Sequence, residues 1–374
     1  MKSEELFKYI VSGDMDNGLG RALRKGLSSL SQGYAWAVNR RNRGFDQGKG
    51  VYYATLPVIS VGNITAGGTG KTPMVRYICE RLAEKGYAAT VLSRGYRAKD
   101  NSSSLLISDH GKLLVEPDVS GDEAWLLAKA LPAASVVIGR SRTKSAQMVE
   151  EGALGQVLVL DDGFQHRALS RDLDIVLIDA TNPFGYGHCL PRGLLREPLE
   201  GLKRAQAIVL TKVDQAPAGE LAVTKKKLEA LIPNVPVAET IHQPRALYEL
   251  SHWLTADQPQ APDAELGRPV LAATGIGNPQ SFGKTLQSLG YDVRSVMGFG
   301  DHHDFTNDDL VTIWKEAFAK GAQAIMITEK DAVKICQLSG LAEFKIPIYV
   351  LSIGIHFLSG AEDLNQLIYK TVEK

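Results

Sequence analysis

The sequence contains few cysteines, and none in an arrangement that would bind a metal. Its three cysteines, Cys79, Cys189 and Cys336, lie far apart in the 374 residues, with no CxxC pair and no cysteine–histidine cluster. These spacings exclude a disulfide framework and a structural zinc site. They are typical of a protein from a reducing compartment.

Long apolar runs and an excess of charge are also absent. No run of about 18 apolar residues occurs, which predicts that no helix spans a membrane. The first residues, Met1 to Glu5, lack the charged and then apolar layout of a signal peptide. Basic and acidic residues both number 42, whereas nucleic-acid-binding proteins usually carry a basic excess. We therefore expect a cytoplasmic protein that does not bind nucleic acid.

The sequence is rich in short apolar strands that alternate with helices. Strands are predicted at 57–61, 89–93, 135–138, 157–160, 175–178 and 207–210, and helices at 73–85, 123–131 and 142–151. Strands of this kind form a parallel sheet with helices on both faces, which is an α/β fold. The alternation weakens over 243–267 and resumes at Pro269. A smaller second α/β domain is therefore predicted after this connection.

An amphipathic helix is predicted at 19–38. Its apolar stripe consists of Leu19, Leu23, Leu27, Leu30, Tyr34, Ala37 and Val38. Arg21, Arg24 and Lys25 lie opposite, and a basic stretch follows. Two interpretations are open: the helix packs on its own domain, or it lies on an anionic membrane surface.

A glycine-rich segment between the first strand and the next helix has the composition of a phosphate-binding loop. It consists of Thr65, Ala66, Gly67, Gly68, Thr69, Gly70, Lys71 and Thr72. Glycines let backbone N–H groups surround phosphate oxygens, while the lysine contacts the β- and γ-phosphates and the threonine hydroxyl ligates Mg²⁺. Thr65 stands where the usual GxxxxGK[ST] pattern has its first glycine. The segment predicts a P-loop NTPase that uses the γ-phosphate of a nucleotide.

These patterns together predict four parts of the chain. An N-terminal amphipathic helix region occupies 1–45, and the P-loop NTPase domain follows at 46–242. The connection spans 243–267, and the smaller C-terminal α/β domain spans 268–374. A chain of this length usually exceeds a single hydrophobic core, which supports the division.

Two predicted strands end in acidic residues. One is followed by Asp161 and Asp162, and the other by Asp179. Either resembles the strand whose terminal aspartate holds Mg²⁺ in P-loop enzymes. Because two adjacent carboxylates repel each other unless a cation lies nearby, the pattern favours Asp161 and Asp162 as the metal site. Asp179 is also typical of an acid at a strand end near a turn.

Three further segments are open to functional and structural interpretations. Asp122 precedes a predicted helix and is either a reactive carboxylate or an N-cap. His302 and His303 lie in a polar loop, where a histidine is either catalytic or a plain surface residue. The run 211–214, Thr-Lys-Val-Asp, is similar to the element by which GTPases read guanine. It provides an alternative function, a GTPase or a metallochaperone-type NTPase.

Taken together, the segments resemble the tetraacyldisaccharide 4′-kinases, also called lipid A 4′-kinases. The resemblance extends in order over most of the chain. It rests on the runs 60–73, 92–96, 121–124, 160–167, 190–198, 275–279, 301–303 and 328–332.

The resemblance implies an activity and a set of site residues. It implies phosphoryl transfer from ATP to the 4′-hydroxyl of a tetraacylated glucosamine disaccharide 1-phosphate, at the cytoplasmic face of the inner membrane. It implies that Asp122 is the base, supported by His302 across a domain cleft, and that Lys71 acts on the phosphates. Mg²⁺ is expected at Asp161 or Asp162 together with Thr72. The residues Arg142, His166 and Glu197 match functional positions without an assigned role.

The resemblance also bears on the N-terminal helix, because family members use theirs at the membrane. It therefore favours the membrane interpretation of 19–38. It leaves the acyl-chain preference and the oligomeric state open.

Overall fold

The computed structural model describes residues 3–96, 98–99, 102–255, 259–300, 303–343 and 345–373. Its strands are β1 Val58–Asn63, β2 Ala89–Ser93, β3 Leu105–Asp109, β4 Lys112–Leu113, β5 Ala134–Ile138, β6 Val157–Asp161, β7 Leu173–Asp179, β8 Ala207–Thr211, β9 Val237–Glu249, β10 Pro269–Thr274, β11 Asp292–Gly298, β12 Ala324–Thr328 and β13 Ile348–Ser359. The predicted alternation of strands and helices is confirmed.

The α-helices are α1 Ser3–Ser12, α2 Gly18–Asp46, α3 Lys71–Glu84, α4 Pro117–Ser120, α5 Asp122–Lys129, α6 Arg142–Gly152, α7 Glu220–Leu231, α8 Leu250–Trp253, α9 Pro279–Ser288, α10 Asn307–Ala319, α11 Glu329–Ile335 and α12 Ala361–Val372. Short 3₁₀ segments lie at Gly185–Gly187, Leu199–Arg204, Val213–Gln215 and Ser339–Glu343. None of the described helices is long and apolar enough to cross a bilayer.

The chain forms two compact units. Unit 1 contains the described residues of Met1–Glu116, Leu127–His242 and Ile355–Lys374, and unit 2 contains those of Pro117–Leu126 and Gln243–Gly354. The break after His242 coincides with the predicted end of the first domain. The described residues of the predicted N-terminal region 1–45 belong to unit 1, and those of the predicted connection 243–267 belong to unit 2. Two further segments group differently from the predicted ranges: Pro117–Leu126 belongs to unit 2, and Ile355–Lys374 belongs to unit 1.

Side-chain packing explains both differences. Trp125 packs against Trp253 of unit 2, with ring centroids 6.2 Å apart. In unit 1, Tyr77 of α3 donates a hydrogen bond to Asn365 of α12 and packs against Phe357. These contacts join segments that are distant in sequence, so local periodicity gives no sign of them.

Unit 1 is built on a mostly parallel sheet with strand order β8-β7-β1-β6-β2-β5-β3-β4. The strand β1 lies between β6 and β7 and is parallel to both. At one edge, β3 pairs antiparallel with both β5 and β4, so among these described strands it is β3 that runs opposite to the others. Because β1 and β6 are parallel neighbours, with Val61 opposite Asp161, their carboxyl ends meet at the same edge. That edge carries the predicted site residues of unit 1.

Unit 2 has its own parallel strands, in the order β11-β10-β12-β13. Its core consists mainly of residues from these strands and from α9, including Val270, Phe282, Leu286, Met326 and Leu351. The predicted second α/β arrangement is therefore present.

The N-terminal part differs from the prediction in extent. The helix α2 continues to Asp46, and α1 precedes it, although no helix was predicted there. One face of α2 packs on unit 1, where Ser31 donates a hydrogen bond to the Cys189 carbonyl at 2.7 Å. On another face, Leu19 and Leu30 are 62% and 63% exposed. The helix thus packs on its own domain with one face and presents leucines to solvent with another.

Candidate active site

The P-loop, Thr65 to Thr72, joins the end of β1 to α3. Gly67 and Gly70 have φ values of 122° and 82°, which favour glycine. At Gly70 a Cβ atom would also lie 2.8 Å from the ring of His242. Thr65 has an ordinary backbone conformation, is 5% exposed and forms a β-bridge with Leu195. A glycine is not required at this position, which explains the departure from the usual pattern.

The strand β6 delivers two carboxylates beside the P-loop lysine. Lys71, the first residue of α3, has its Nζ 3.5 Å from the Asp162 carboxylate. Arg196 donates to both oxygens of Asp162, at 2.8 and 2.9 Å. Burial by itself would raise the pKa of Asp162, but Lys71 and Arg196 outweigh it, and the net shift is downward. Asp162 is therefore an anion held by two cations.

Asp161 has a different environment. Its carboxylate accepts a hydrogen bond from the Ser93 hydroxyl at 3.1 Å. Burial raises the pKa of Asp161, although Lys71 partly opposes the shift. An additional cation would therefore stabilise the ionised form of Asp161 more than that of Asp162, which already has two cationic partners.

The three residues left without a role lie in the same unit. The guanidinium of Arg142 is buried and lies 3.5 Å from the Asp161 carbonyl. Burial and then the charge of Arg142 lower the pKa of His166 to about 4. Glu197 is 1% exposed and binds Arg204, Gln165 and Asn42. Because Asn42 belongs to α2, this buried network fastens that helix to unit 1.

The run 211–214 contacts the P-loop from β8. Lys212 donates to the Gly68 carbonyl at 2.9 Å and forms an ion pair with Asp179. The Thr211 hydroxyl donates to the Thr69 carbonyl at 3.2 Å. Asp179 also accepts hydrogen bonds from Thr181, as an acid at a turn does. In this structure the run supports the backbone of the P-loop.

Asp122 lies in unit 2 as the first residue of α5. The residue before it, Gly121, has a φ of 81° and accepts the first helical hydrogen bond from Trp125, so Gly121 takes the N-cap position. The Asp122 carboxylate lies 3.5 Å from Lys334 Nζ. Both residues line a cavity of unit 2, together with Glu123, Gly275, His303, Lys330 and Asp331. The structural alternative for Asp122, an N-cap, is therefore not supported.

The loop that contains His302 and His303, called the histidine loop below, is described only in part, because His302 lies outside the described residues. His303 is hydrogen-bonded to Asp309 at 3.0 Å and stacks on Phe299 at 4.9 Å. The domain division places Asp122 in the same unit as His303. The sequence predicted instead that Asp122 and the histidine loop lie on separate domains.

A comparison with protein families shows which family the chain belongs to. The model of the tetraacyldisaccharide-1-P 4′-kinase family, LpxK, matches residues 23–373. The chain belongs to this family. Among curated members, it is 39% identical over 321 residues to the tetraacyldisaccharide 4′-kinase of Halothermothrix orenii, covering 84% of this chain and 83% of that protein. It is 41% identical over 282 residues to that of Anaeromyxobacter dehalogenans, covering 75% and 73%.

A solved structure of a family member agrees with the fold. The LpxK of Aquifex aeolicus, crystallised in complex with ATP, superposes with a TM-score of 0.73 at 32% identity. The match covers 94% of this chain and 99% of that one. The predicted fold class, an α/β P-loop protein with a mostly parallel sheet, is thereby confirmed.

The structure adds residues to the site of this family member that sequence reasoning did not assign. Arg196 lies in a run that matched the family, but its bond to Asp162 gave no local signal. Lys334 follows the matching run 328–332 by half a helical turn. Lys212 was singled out only as part of a guanine-reading element. In each case the partner lies far away in sequence, so only the fold reveals the contact.

Proposed function

We propose that this chain transfers the γ-phosphate of ATP to the 4′-hydroxyl of a tetraacylated glucosamine disaccharide 1-phosphate, a step of lipid A biosynthesis. Family membership supports the disaccharide lipid as the acceptor, and the relative from Aquifex aeolicus, crystallised with ATP, supports ATP as the donor. The observation that carries the proposal is the position of Lys71 at the start of α3, 3.5 Å from a carboxylate at the end of β6. P-loop enzymes use a lysine at this position to bind the phosphates and an acid at the end of a neighbouring strand to hold Mg²⁺.

The P-loop residues 65–72 bind the phosphates in this proposal. Backbone N–H groups of the loop and the N-terminus of α3 face the phosphate oxygens, and Lys71 neutralises charge on the transferred group. Lys212 and Thr211 hold the loop backbone through Gly68 and Thr69. A preorganised loop of this kind loses little entropy when the nucleotide binds.

Mg²⁺ is proposed at the end of β6. Asp161, Asp162 and the Thr72 hydroxyl are oxygen ligands of the kind that this ion prefers. Asp161 is the better direct ligand, because Asp162 already binds Arg196 and Lys71 whereas Asp161 is buried against a neutral hydroxyl. The ion would neutralise charge on the β- and γ-phosphates.

Asp122 is proposed as the base that accepts the proton of the sugar hydroxyl. A carboxylate beside a cavity has the geometry for this role, and proton acceptance by a positioned side chain is effective catalysis. His302, which lies outside the described residues, is proposed from the family resemblance to support Asp122. The proposed reaction therefore uses Lys71 of unit 1 and Asp122 of unit 2.

The donor and the acceptor are tested in one assay. The purified protein is given ATP or GTP, with Mg²⁺, with and without the disaccharide lipid in detergent micelles. We expect transfer of phosphate to the lipid with ATP and little turnover without lipid. GTP preference without lipid-dependent turnover would favour the alternative, a GTPase or metallochaperone-type NTPase, which family membership does not support.

Membrane association is proposed through the exposed face of α2, in the region 1–45. Leu19 and Leu30 are mostly exposed, and Trp36, 65% exposed, lies beneath Arg40 at 5.7 Å. An exposed apolar face next to basic residues is typical of helices on anionic membrane surfaces. We propose a peripheral location at the cytoplasmic face of the inner membrane, where the lipid acceptor is found.

The membrane proposal is tested by substitution instead of truncation. Removing α2 would also break its hydrogen bonds to Cys189 and Arg196 and so destabilise unit 1. The double variant Leu19→Ser, Leu30→Ser is expected to bind phosphatidylethanolamine–phosphatidylglycerol vesicles roughly tenfold more weakly. Val223→Ser, on an exposed position of α7, is the control. Unchanged vesicle binding by the double variant would leave α2 as a purely structural helix.

A further inference from the structure

A lysine of unit 2 joins the proposed base to the histidine loop. Lys334 lies on α11 with a side chain that is only 12% exposed. Its ammonium group donates to the His303 carbonyl at 2.8 Å and to the Asp304 carboxylate at 2.8 Å. The same group lies 3.5 Å from the Asp122 carboxylate. Three acceptors from two segments therefore converge on one cation.

The helix that carries Lys334 is firmly anchored. Asp331, 3% exposed, accepts hydrogen bonds from the hydroxyls of Thr274 and Thr328 and from the backbone N–H of Gly275. These bonds tie the first turn of α11 to the ends of β10 and β12. A lysine side chain loses considerable rotamer entropy when it is held in place, so a rigid supporting helix matters for its geometry.

We propose that Lys334 is a positioning residue for proton transfer: it aligns the Asp122 carboxylate, and it fixes the loop at 303–304 beside it. The inference rests on the proposed function, because it assigns a partner to the proposed base. The attraction between an ammonium group and a carboxylate strengthens where water is partly excluded. A base that is already oriented needs no rearrangement before it accepts the proton.

A neighbouring ion pair on the same helix provides a comparison for the effect of Lys334 on stability. Lys330, one turn earlier on α11, pairs with Glu123 at 2.9 Å, but the two side chains are 51% and 46% exposed. Exposed pairs of this kind contribute little to stability. Lys334 is far less exposed, so its removal should also lower stability, and the test therefore measures kcat and Tm separately.

The test is a double-mutant cycle on the full-length enzyme. Lys334→Met, Asp122→Asn and the double variant are compared for kcat, for KM with ATP and with the disaccharide lipid, and for Tm. We expect Lys334→Met to lower kcat by roughly 10- to 100-fold, as the loss of an orienting partner does, while KM for ATP changes less than about twofold. The double variant should be no slower than Asp122→Asn alone, because Lys334 acts through Asp122.

Chemical rescue and a control variant complete the experiment. Ethylammonium added to Lys334→Ala should restore part of kcat, whereas a structural defect would not respond. Lys320→Met, which removes an exposed lysine of the same unit, is the control. If Lys334→Met kept near-normal kcat, or if the losses of the two single variants multiplied in the double variant, the proposal would be overturned. Absence of lipid phosphorylation by the wild-type enzyme would instead contradict the proposed function itself.

Discussion

The two units each hold a lysine–aspartate pair with the same separation, and the pairs differ in which partner is held in place. In unit 1, Lys71 lies 3.5 Å from Asp162, and in unit 2, Lys334 lies 3.5 Å from Asp122. Asp162 is held by two further bonds from Arg196, whereas Lys334 is held by two further acceptors, His303 and Asp304.

The difference agrees with the roles proposed for the two pairs. In unit 1 the anion is anchored, and Lys71 is the group proposed to meet the phosphates. In unit 2 the cation is anchored, and Asp122 is the group proposed to meet the acceptor hydroxyl. Phosphoryl transfer needs a positive group for the donor and a proton acceptor for the nucleophile, and in this proposal each pair supplies one of them.

The largest expected effect comes from removing the carboxylate of Asp122, the proposed base in unit 2. Asp122→Ala should lower kcat by on the order of 10²- to 10⁴-fold, since proton acceptance in the transition state is lost. ATP affinity, measured by calorimetry, should stay within about twofold of wild type, because Asp122 does not belong to the P-loop. Near-normal turnover in Asp122→Ala would remove it from the role of base.

The corresponding change in unit 1 removes the ammonium group of Lys71, which is proposed to meet the phosphates. Lys71→Met should lower kcat/KM for ATP by on the order of 10²- to 10³-fold, as the loss of a donor to developing charge does. Asp162 keeps both bonds from Arg196 in this variant, so Tm should change little. A variant that lost folding but kept turnover per folded molecule would reverse the roles assigned to the two partners.

A smaller effect is expected when the anchor of unit 1 is removed. Arg196→Met should reduce kcat/KM roughly tenfold, because Asp162 loses its orienting bonds but keeps Lys71. The backbone carbonyl of Arg196, which accepts a hydrogen bond from Tyr34, is unaffected by the substitution. Lys225→Met, which removes another ion pair of unit 1, serves as the control. A loss as large as that of Lys71→Met would mean that Arg196 itself contacts the phosphates.

The sequence predicted unit 1 better than unit 2, for a physical reason. The P-loop and the strand ending in Asp161 are contiguous strand–loop–helix and strand–acid patterns, and parallel pairing brings their ends together. The pairing of Asp122 with Lys334 depends instead on Trp125 packing against Trp253, which places Pro117–Leu126 in unit 2. Local periodicity reports that a residue is buried but not which distant segment covers it, so this contact could not be predicted.

The buried charge of Arg142 also affects how the stability of the protein depends on pH. His166 lies near Arg142 in unit 1, and burial together with that charge lowers its pKa to about 4. An unfolded histidine takes up a proton near pH 6.5, whereas folded His166 resists protonation until about pH 4. Its contribution to stability is therefore fully present above pH 6.5 and is lost as the pH falls towards 4. Below that pH its effect is constant.

The measurement is Tm as a function of pH for His166→Gln and for wild type. The variant should lose less stability than wild type between pH 6.5 and 4, so that the two Tm curves converge as the pH falls. His356→Gln, at an exposed position of β13, should follow the wild-type curve. Parallel curves for His166→Gln and wild type would show that His166 is protonated equally easily in both states. The cationic surroundings of the β6 carboxylates would then not extend to this residue.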